Sequence, residues 1–291
     1  PRVVFPGGGL FTVSKTITLP PTIRIQASGV VSFFQKNSKA DLFAAPNAKQ
    51  VEFHQINFVG GRNGVSITTR PEEESRILFD TCSFKGSLEY PQAVGIRCLS
   101  EGNRQNKTQL IVKNAIITSP QAVVTNASAS HLSAFWALND PKLNDAAFIE
   151  NRGGAMRVDA MLGNPKLWHG KRSKPPKGLT DWQYSRLTRW IDNWGKLHCL
   201  DNRFGGESGG MCNIYNRSAD CTVYVSGGIS RFGNSATRMA ILYAEEMPRL
   251  GLIRDLSSVP IRIDGRSTRA MGPDGQPLAT STLQITGVLA P

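Results

Sequence analysis

No run of apolar residues approaches the roughly 18 that a helix needs to span a bilayer. The opening residues, PRVVFPGGG, also lack the charged-then-apolar layout of a signal peptide. A membrane span is therefore not expected. A leader or an earlier segment removed from this sequence would leave the same picture, so the compartment stays open on this point. Cysteine is scarce: Cys82, Cys98, Cys199, Cys212 and Cys221 form no CxxC pair and no zinc spacing, which argues against a thiolate metal site. Their odd number argues against a complete disulfide framework. Buried free thiols are the expectation, with one bridge among Cys199, Cys212 and Cys221 left open if the protein is exported. Acidic residues are few, 22 Asp and Glu against 34 Lys and Arg, for a formal net charge of +12. Yet charged residues make up only 19% of the 291 positions and hydrophobic ones 40%, which excludes a disordered polyelectrolyte. Apolar residues at helical spacing are largely missing as well. The length alone allows one large domain or two ordinary ones.

What is present is alternation. Short bursts of apolar and polar residues are separated by Gly, Asn, Ser and Pro, the pattern of strands and turns. The bursts also resemble one another. VEFHQINF, ILFDTCSF and LIVKNAII begin at 51, 77 and 110, and each has an apolar residue at its first, third, sixth and eighth places, with Ala115 the weakest. Each reads as a strand, a bend and a second short strand, and the unequal spacing is that of a repeat whose turns differ by loop insertions. A second pair, FIENRGGAMRVDAMLG (148–163) and WIDNWGKLHCLDNRFG (190–205), aligns without gaps. It matches Ile149 with Ile191, Asn151 with Asn193, Asp159 with Asp201 and Leu162 with Phe204. A looser copy at 214–234 repeats the asparagine at Asn216.

Strand-rich repeats without a helical half suggest a parallel β-helix, in which each turn lies about 4.8 Å from the next and equivalent residues stack in columns. Inward columns would hold Ile, Val, Phe, Leu and Cys. Asn151, Asn193 and Asn216 then read as a structural ladder at a bend. Trp190, matched by Phe148, reads as core.

The stretch VVFPGGGLFTVSKTITLPPTIRIQASG (3–29) resembles the first turns of the pectate-lyase-like right-handed parallel β-helix superfamily, through its Pro-Gly turn, T-V-S-x-T-I-x-L-P and I-R-I-x-A-x-G. The likeness extends to about residue 60 and is generic beyond it. It implies an all-β, single-stranded parallel β-helix over 1–291 and a carbohydrate partner. Polysaccharide lyases, glycoside hydrolases and tailspike depolymerases share this architecture, so no single reaction is implied. The Gly-Asp-Gly and Asp-Asp-Thr capping segment usual in such proteins is missing here, from which an omitted N-terminal piece is expected. The resemblance further implies a secreted, periplasmic or cell-surface protein.

An insertion at about 130–190 interrupts the repeats. It is flanked and filled by all five tryptophans, Trp136, Trp168, Trp182, Trp190 and Trp194. Between 165 and 190 it carries Lys166, Lys171, Arg172, Lys174, Lys177, Arg186 and Arg189 against Asp181 alone. Aromatic faces stack on sugar rings and cations pair with carboxylates or sulfates, so Trp168, His169, Lys171, Arg172 and Trp182 are the candidate glycan-binding residues. Anchoring of the loop is an equal reading for Trp168, His169 and Trp182. Nucleic acid, which also uses basic and aromatic residues, is disfavoured because no recognition motif is present.

For catalysis, alternation with Leu197 and Cys199 inward points His198 outward. Phe204 inward makes Arg203 outward, and Glu207 follows in the glycine-rich turn GGESGG. Elimination on a uronic acid needs a cation or metal for the carboxylate, a base for the C5 proton and an acid for the leaving oxygen. Arg203 is the candidate cation and His198, Lys196 or Tyr215 the candidate proton carriers. Hydrolysis would need two carboxyl groups about 5 to 9 Å apart. Asp159 and Asp201, in adjacent copies, would stack near the lower end of that range, hold Ca²⁺ or cap turns. The expectation is a lyase acting on an acidic polysaccharide. A noncatalytic glycan-binding or spike-like β-helix and a glycoside hydrolase are the alternatives. Asn106, Asn126 and Asn216 begin glycosylation triplets, meaningful only in a eukaryotic secretory setting.

Overall fold

The computed structural model describes residues 1–87, 89–102, 106–134, 136–137, 147–160, 162–163, 189–200, 203–204, 211–217, 222–226, 239–244, 250–254, 263–265 and 283–286. Among them every regular element is a strand, and every strand pairing with a described register is parallel. An all-parallel sheet of ten strands wraps through about 305° and nearly closes. The chain forms two compact units, Pro1–Asp140 with Gly153–Ala155, and Pro141–Arg152 with Met156–Pro291. Of the expected insertion at about 130–190, residues 135, 138–146, 161 and 164–188 lie outside the described residues, and 147–160 with 162–163 belong to strands and bends of the repeat.

The first unit runs β1 (Arg2–Phe5), β2 (Gly9–Val13), β3 (Ile17–Thr18), β4 (Thr22–Gln35), β5 (Phe43–Ala45), β6 (Gln50–Thr69) and β7 (Ser75–Asp80). It continues with β8 (Ser83–Lys85), β9 (Gln92–Ser100), β10 (Thr108–Lys113), β11 (Ile116–Ile117), β12 (Gln121–Thr125), β13 (Ala129–Ser133) and β14 (Trp136–Ala137). These strands stack as three ladders. One joins β1, β4, β6, β7, β10 and β13. The second joins β2, β4, β6, β8, β11 and β14, and the third joins β3, β5, β6, β9 and β12.

The three repeats stack as their apolar pattern requires. Val51, Ile77 and Leu110 share a column, as do Phe53, Phe79 and Val112, while Phe58, Phe84 and Ile117 form another in the second ladder. All nine are fully buried. The phenylalanines stack face to face along the columns, Phe53 on Phe79 at 5.3 Å and Phe58 on Phe84 at 4.7 Å. They meet edge to face across the core, Phe53 against Phe58 at 5.1 Å. Each ring removes enough apolar surface from water to contribute about 2 to 3 kcal/mol.

The break in alternation between the third and sixth places is where the chain bends. Gln55, Thr81 and Asn114, at the fifth place of each repeat, have φ of 59°, 56° and 53°, and Ala134 follows with 48°. One left-handed residue turns the chain, and the next, Ile56, Cys82 or Ala115, re-enters the core. The chain also takes a left-handed conformation at Gly60, whose φ is 78° and where a Cβ would lie 2.2 Å from the Gln35 carbonyl oxygen. Only glycine fits there. Outside the core, Asn57 donates to Ser32 Oγ at 3.0 Å and accepts from Ser83, so neighbouring strands of the second ladder are also tied by polar side chains.

The second unit contains β15 (Ile149–Asn151), β16 (Ala155–Asp159), β17 (Leu162–Gly163), β18 (Arg189–Asn193), β19 (Lys196–Leu200) and β20 (Arg203–Phe204). After them come β21 (Met211–Asn216), β22 (Thr222–Ser226), β23 (Met239–Ala244), β24 (Leu250–Arg254), β25 (Ile263–Gly265) and β26 (Leu283–Thr286). The asparagine ladder is present. Asn151 and Asn193 are buried and in register, with Asn151 Nδ2 donating to Asn193 Oδ1 at 2.9 Å, and Asn216 is the next in the column. Asn193 also closes its own bend, its amide donating to the Gly195 carbonyl at 2.8 Å and its Oδ1 accepting the Gly195 N–H at 3.2 Å. Trp190 is buried edge-on against Phe148 at 5.4 Å.

The gapless alignment of this pair of stretches holds only through the asparagines. Ile149 pairs with Ile191, but Leu162 pairs with Arg203 instead of Phe204, and the Ala160 N–H donates to the Leu200 carbonyl. One residue is absorbed between the asparagine and the strand that follows it, where the first stretch has three residues, Arg152-Gly153-Gly154, and the second two, Trp194-Gly195. Two glycines there let the first stretch take a longer turn at no steric cost.

Candidate functional site

In the first ladder, residues of β6 alternate between the core and the outside. Val51 and Phe53 point in, which leaves Glu52 and His54 on the outer face. Register places Asp80 of β7 beside His54, and Lys113 of β10 beside Asp80. This is the fourth place of each of the three repeats. The imidazole lies between two carboxylates, with Nε2 3.5 Å from Glu52 Oε2 and Nδ1 3.7 Å from Asp80 Oδ2. Lys113 Nζ is 3.1 Å from the same Asp80 oxygen. Arg24 Nε and Arg76 Nη1 each stand 3.8 Å from Glu52, one on either side of β6. Gln50 donates to Glu52 at 2.9 Å, and Thr81 and Asn114 donate to Asp80 at 3.1 and 3.5 Å.

Both carboxyls are held below their ordinary range. For Glu52 the largest influence is the hydrogen bond from Gln50. Burial opposes it, and His54 and Arg24 add to it. For Asp80 burial is the largest single influence and pushes upward, but hydrogen bonds from Lys113 and Thr81 with the Lys113 charge outweigh it. The imidazole is within hydrogen-bond distance of Glu52 through Nε2, while its Nδ1 stands beyond that distance from Asp80.

Of the residues expected from sequence, His198 lies on β19 between inward Leu197 and Cys199, half-buried on the opposite side of the strand, in register with Tyr224. Arg203 is in β20 beside Leu162. Its side chain and all of Glu207, Trp168, His169, Lys171, Arg172, Trp182 and Asp201 lie outside the described residues. Asp159 is ion-paired with Arg157, and among the described residues no group of His, Cys, Asp and Glu is arranged to hold a metal. Arg217 pairs with buried Asp192 at 2.7 Å and lies 5.0 Å over the Trp194 ring, which makes Trp194 a packing partner.

Cys82, Cys98 and Cys199 are buried free thiols, so no bridge uses Cys199. Burial pushes the first two up to about 12 and raises Cys199 as well, which excludes all three as thiolate nucleophiles. Asn106 is no exposed glycan acceptor. It is buried, its amide donates to the Asn126 carbonyl at 2.9 Å, and its Oδ1 accepts the Thr108 and Ser128 N–H groups at 3.1 and 2.9 Å.

Comparison of the chain with known protein families, with curated proteins and with solved structures found no match. The class defined by the coordinates is thus an all-β protein built on a parallel sheet that nearly closes.

Proposed function

We propose that the chain is a right-handed parallel β-helix that acts on an acidic polysaccharide outside the cytoplasm, breaking it by β-elimination. One observation carries this reading. Outward residues fall into columns across strands stacked in register, and three adjacent columns of the first ladder bring together a histidine, two carboxylates and three cations. A repeating substrate with one carboxylate per sugar matches a surface whose polar groups repeat every strand, about 4.8 Å. The excess of 34 basic over 22 acidic residues favours a polyanion over a neutral glycan.

In the reaction a base removes the C5 proton, the electron pair forms the C4–C5 double bond, and the C4–O bond breaks with its electrons passing to the leaving oxygen, which takes a proton. A cation at the uronate carboxylate stabilises the charge that develops. His198 is proposed for proton transfer and Arg203 for the carboxylate, with Glu207 nearby in sequence. Trp168, His169, Lys171, Arg172 and Trp182 are proposed to line the glycan path. Incubation with alginate, pectate and glycosaminoglycans should release unsaturated products absorbing near 235 nm. No such product from any uronate removes the lyase reading, and reducing-end release without that absorbance replaces it with a hydrolase.

A further inference from the structure

The cluster around His54 is a site that the sequence-derived residues do not include, and its exposure pattern distinguishes it from an ordinary surface ion-pair network. The two acids and the imidazole are sunken, with side-chain exposures of 9% for Glu52, 22% for Asp80 and 16% for His54. The cations over them stand out, at 46% for Arg24, 54% for Arg76 and 43% for Lys113. Each arginine approaches Glu52 with one nitrogen at 3.8 Å, well short of the bidentate contact that would occupy the guanidinium fork. A guanidinium carries five donors, so most of the fork on both residues is left for a second partner. Three cations face two carboxylates, which leaves the patch positive even with His54 neutral. The acids orient the cations from below, and the cations present unused donors above. Beyond Glu52 the same column continues as Leu78 and Ile111, which gives the cationic row an aliphatic floor.

We propose that Arg24, Arg76 and Lys113, held in place by Glu52 and Asp80, form a binding subsite for the carboxylate of a uronic-acid unit, with His54 at its centre. The inference takes its ligand class from the acidic-polysaccharide reading above, but it places binding on the first unit and asks nothing of His198 or Arg203. The carboxylate accepts from Arg76 and Lys113 while the sugar ring rests on Leu78 and Ile111. His54 reports the arrival of negative charge because its ring nitrogens already face both acids.

The test is a titration of the full chain, at fixed pH, with an oligogalacturonate, a heparin-derived sulfated fragment and single-stranded DNA. The His54 ring signals, assigned by their loss in His54→Gln, are followed by NMR. A saturable shift with the oligogalacturonate is expected, with apparent affinity about fivefold weaker in each of Arg76→Gln and Lys113→Gln. Arg157→Gln, on the second unit, should leave it unchanged. Far-UV circular dichroism establishes that each variant is folded, and these exposed side chains can be changed without touching the core. No movement of His54 with the oligogalacturonate, equal binding by the Arg76→Gln, Lys113→Gln double variant, or a response to the sulfated fragment or to DNA alone each overturns the assignment. Unsaturated products without a His54 shift overturn this subsite and leave the lyase reading standing. A shift without products does the reverse.

Discussion

Glu52 is a nearly buried carboxylate whose charge is compensated by one amide, one imidazole and two arginines. Its folded-state pKa lies below its unfolded value, so it contributes stability above the ordinary carboxylate range and loses that contribution as pH falls through the folded value. Asp80 acts in the same direction. Wild type should therefore lose stability below about pH 4, and Glu52→Gln should flatten the loss while lowering stability at neutral pH. Chemical denaturation at pH 7 and pH 3 measures both effects, and parallel losses in the two proteins would contradict the role assigned to Glu52. Thr81 carries another residue-scale cost, a β-branched side chain at φ of 56°. Asparagine, present at the equivalent bend as Asn114, tolerates that region, so Thr81→Asn should raise stability by about 0.5 to 1 kcal/mol, read as a higher denaturation midpoint. For the proposed elimination, His198→Ala or Arg203→Ala should abolish turnover with a nearly unchanged thermal midpoint. A large fall in the midpoint would mark them as structural.

At the scale of elements, one interaction recurs: a side chain on one strand satisfies its counterpart on the next. Asn151 and Asn193 do this inside a bend, where the Asn151 amide donates to Asn193 and to the Lys196 carbonyl and the Asn193 amide to the Gly195 carbonyl. Asn193→Ala should cost about 1 to 3 kcal/mol, because it removes one acceptor of Asn151 and the closure at Gly195 together, with little direct effect on chemistry. Urea unfolding tests the stability and turnover tests the rest. This ladder was legible in sequence because the asparagine recurred two places after an isoleucine and directly after an acidic residue in both copies. The register after it was not. A one-residue difference in corner length leaves no mark on residue type when glycines lie on both sides, and the offset shows only in which backbone amide meets which carbonyl. The strand bends were half-legible: the third-to-sixth spacing marks where alternation fails, but not that a single left-handed residue makes the turn.

For the whole molecule, the formal charge of +12 predicts that affinity for the proposed acidic glycan falls steeply as salt rises, since screening shortens the reach of exposed cations to about 10 Å at 0.1 M. Affinity independent of ionic strength would point to contacts of another kind. The sequence by itself determined that the chain is built of strands, which residues face the core, and that three stretches are copies of one pattern, because burial imposes a period of two and a repeat has to satisfy it each time. It also held the column of His54, Asp80 and Lys113, at the fourth place of VEFH, ILFD and LIVK, where chemistry differs from copy to copy and so reads as surface variation. Only the tertiary structure decided that these residues meet, and that Arg24 and Arg76 close on Glu52 from the strands on either side. That proximity depends on strand register across the sheet, which is set by corner lengths and backbone pairing and not by the residues it brings together.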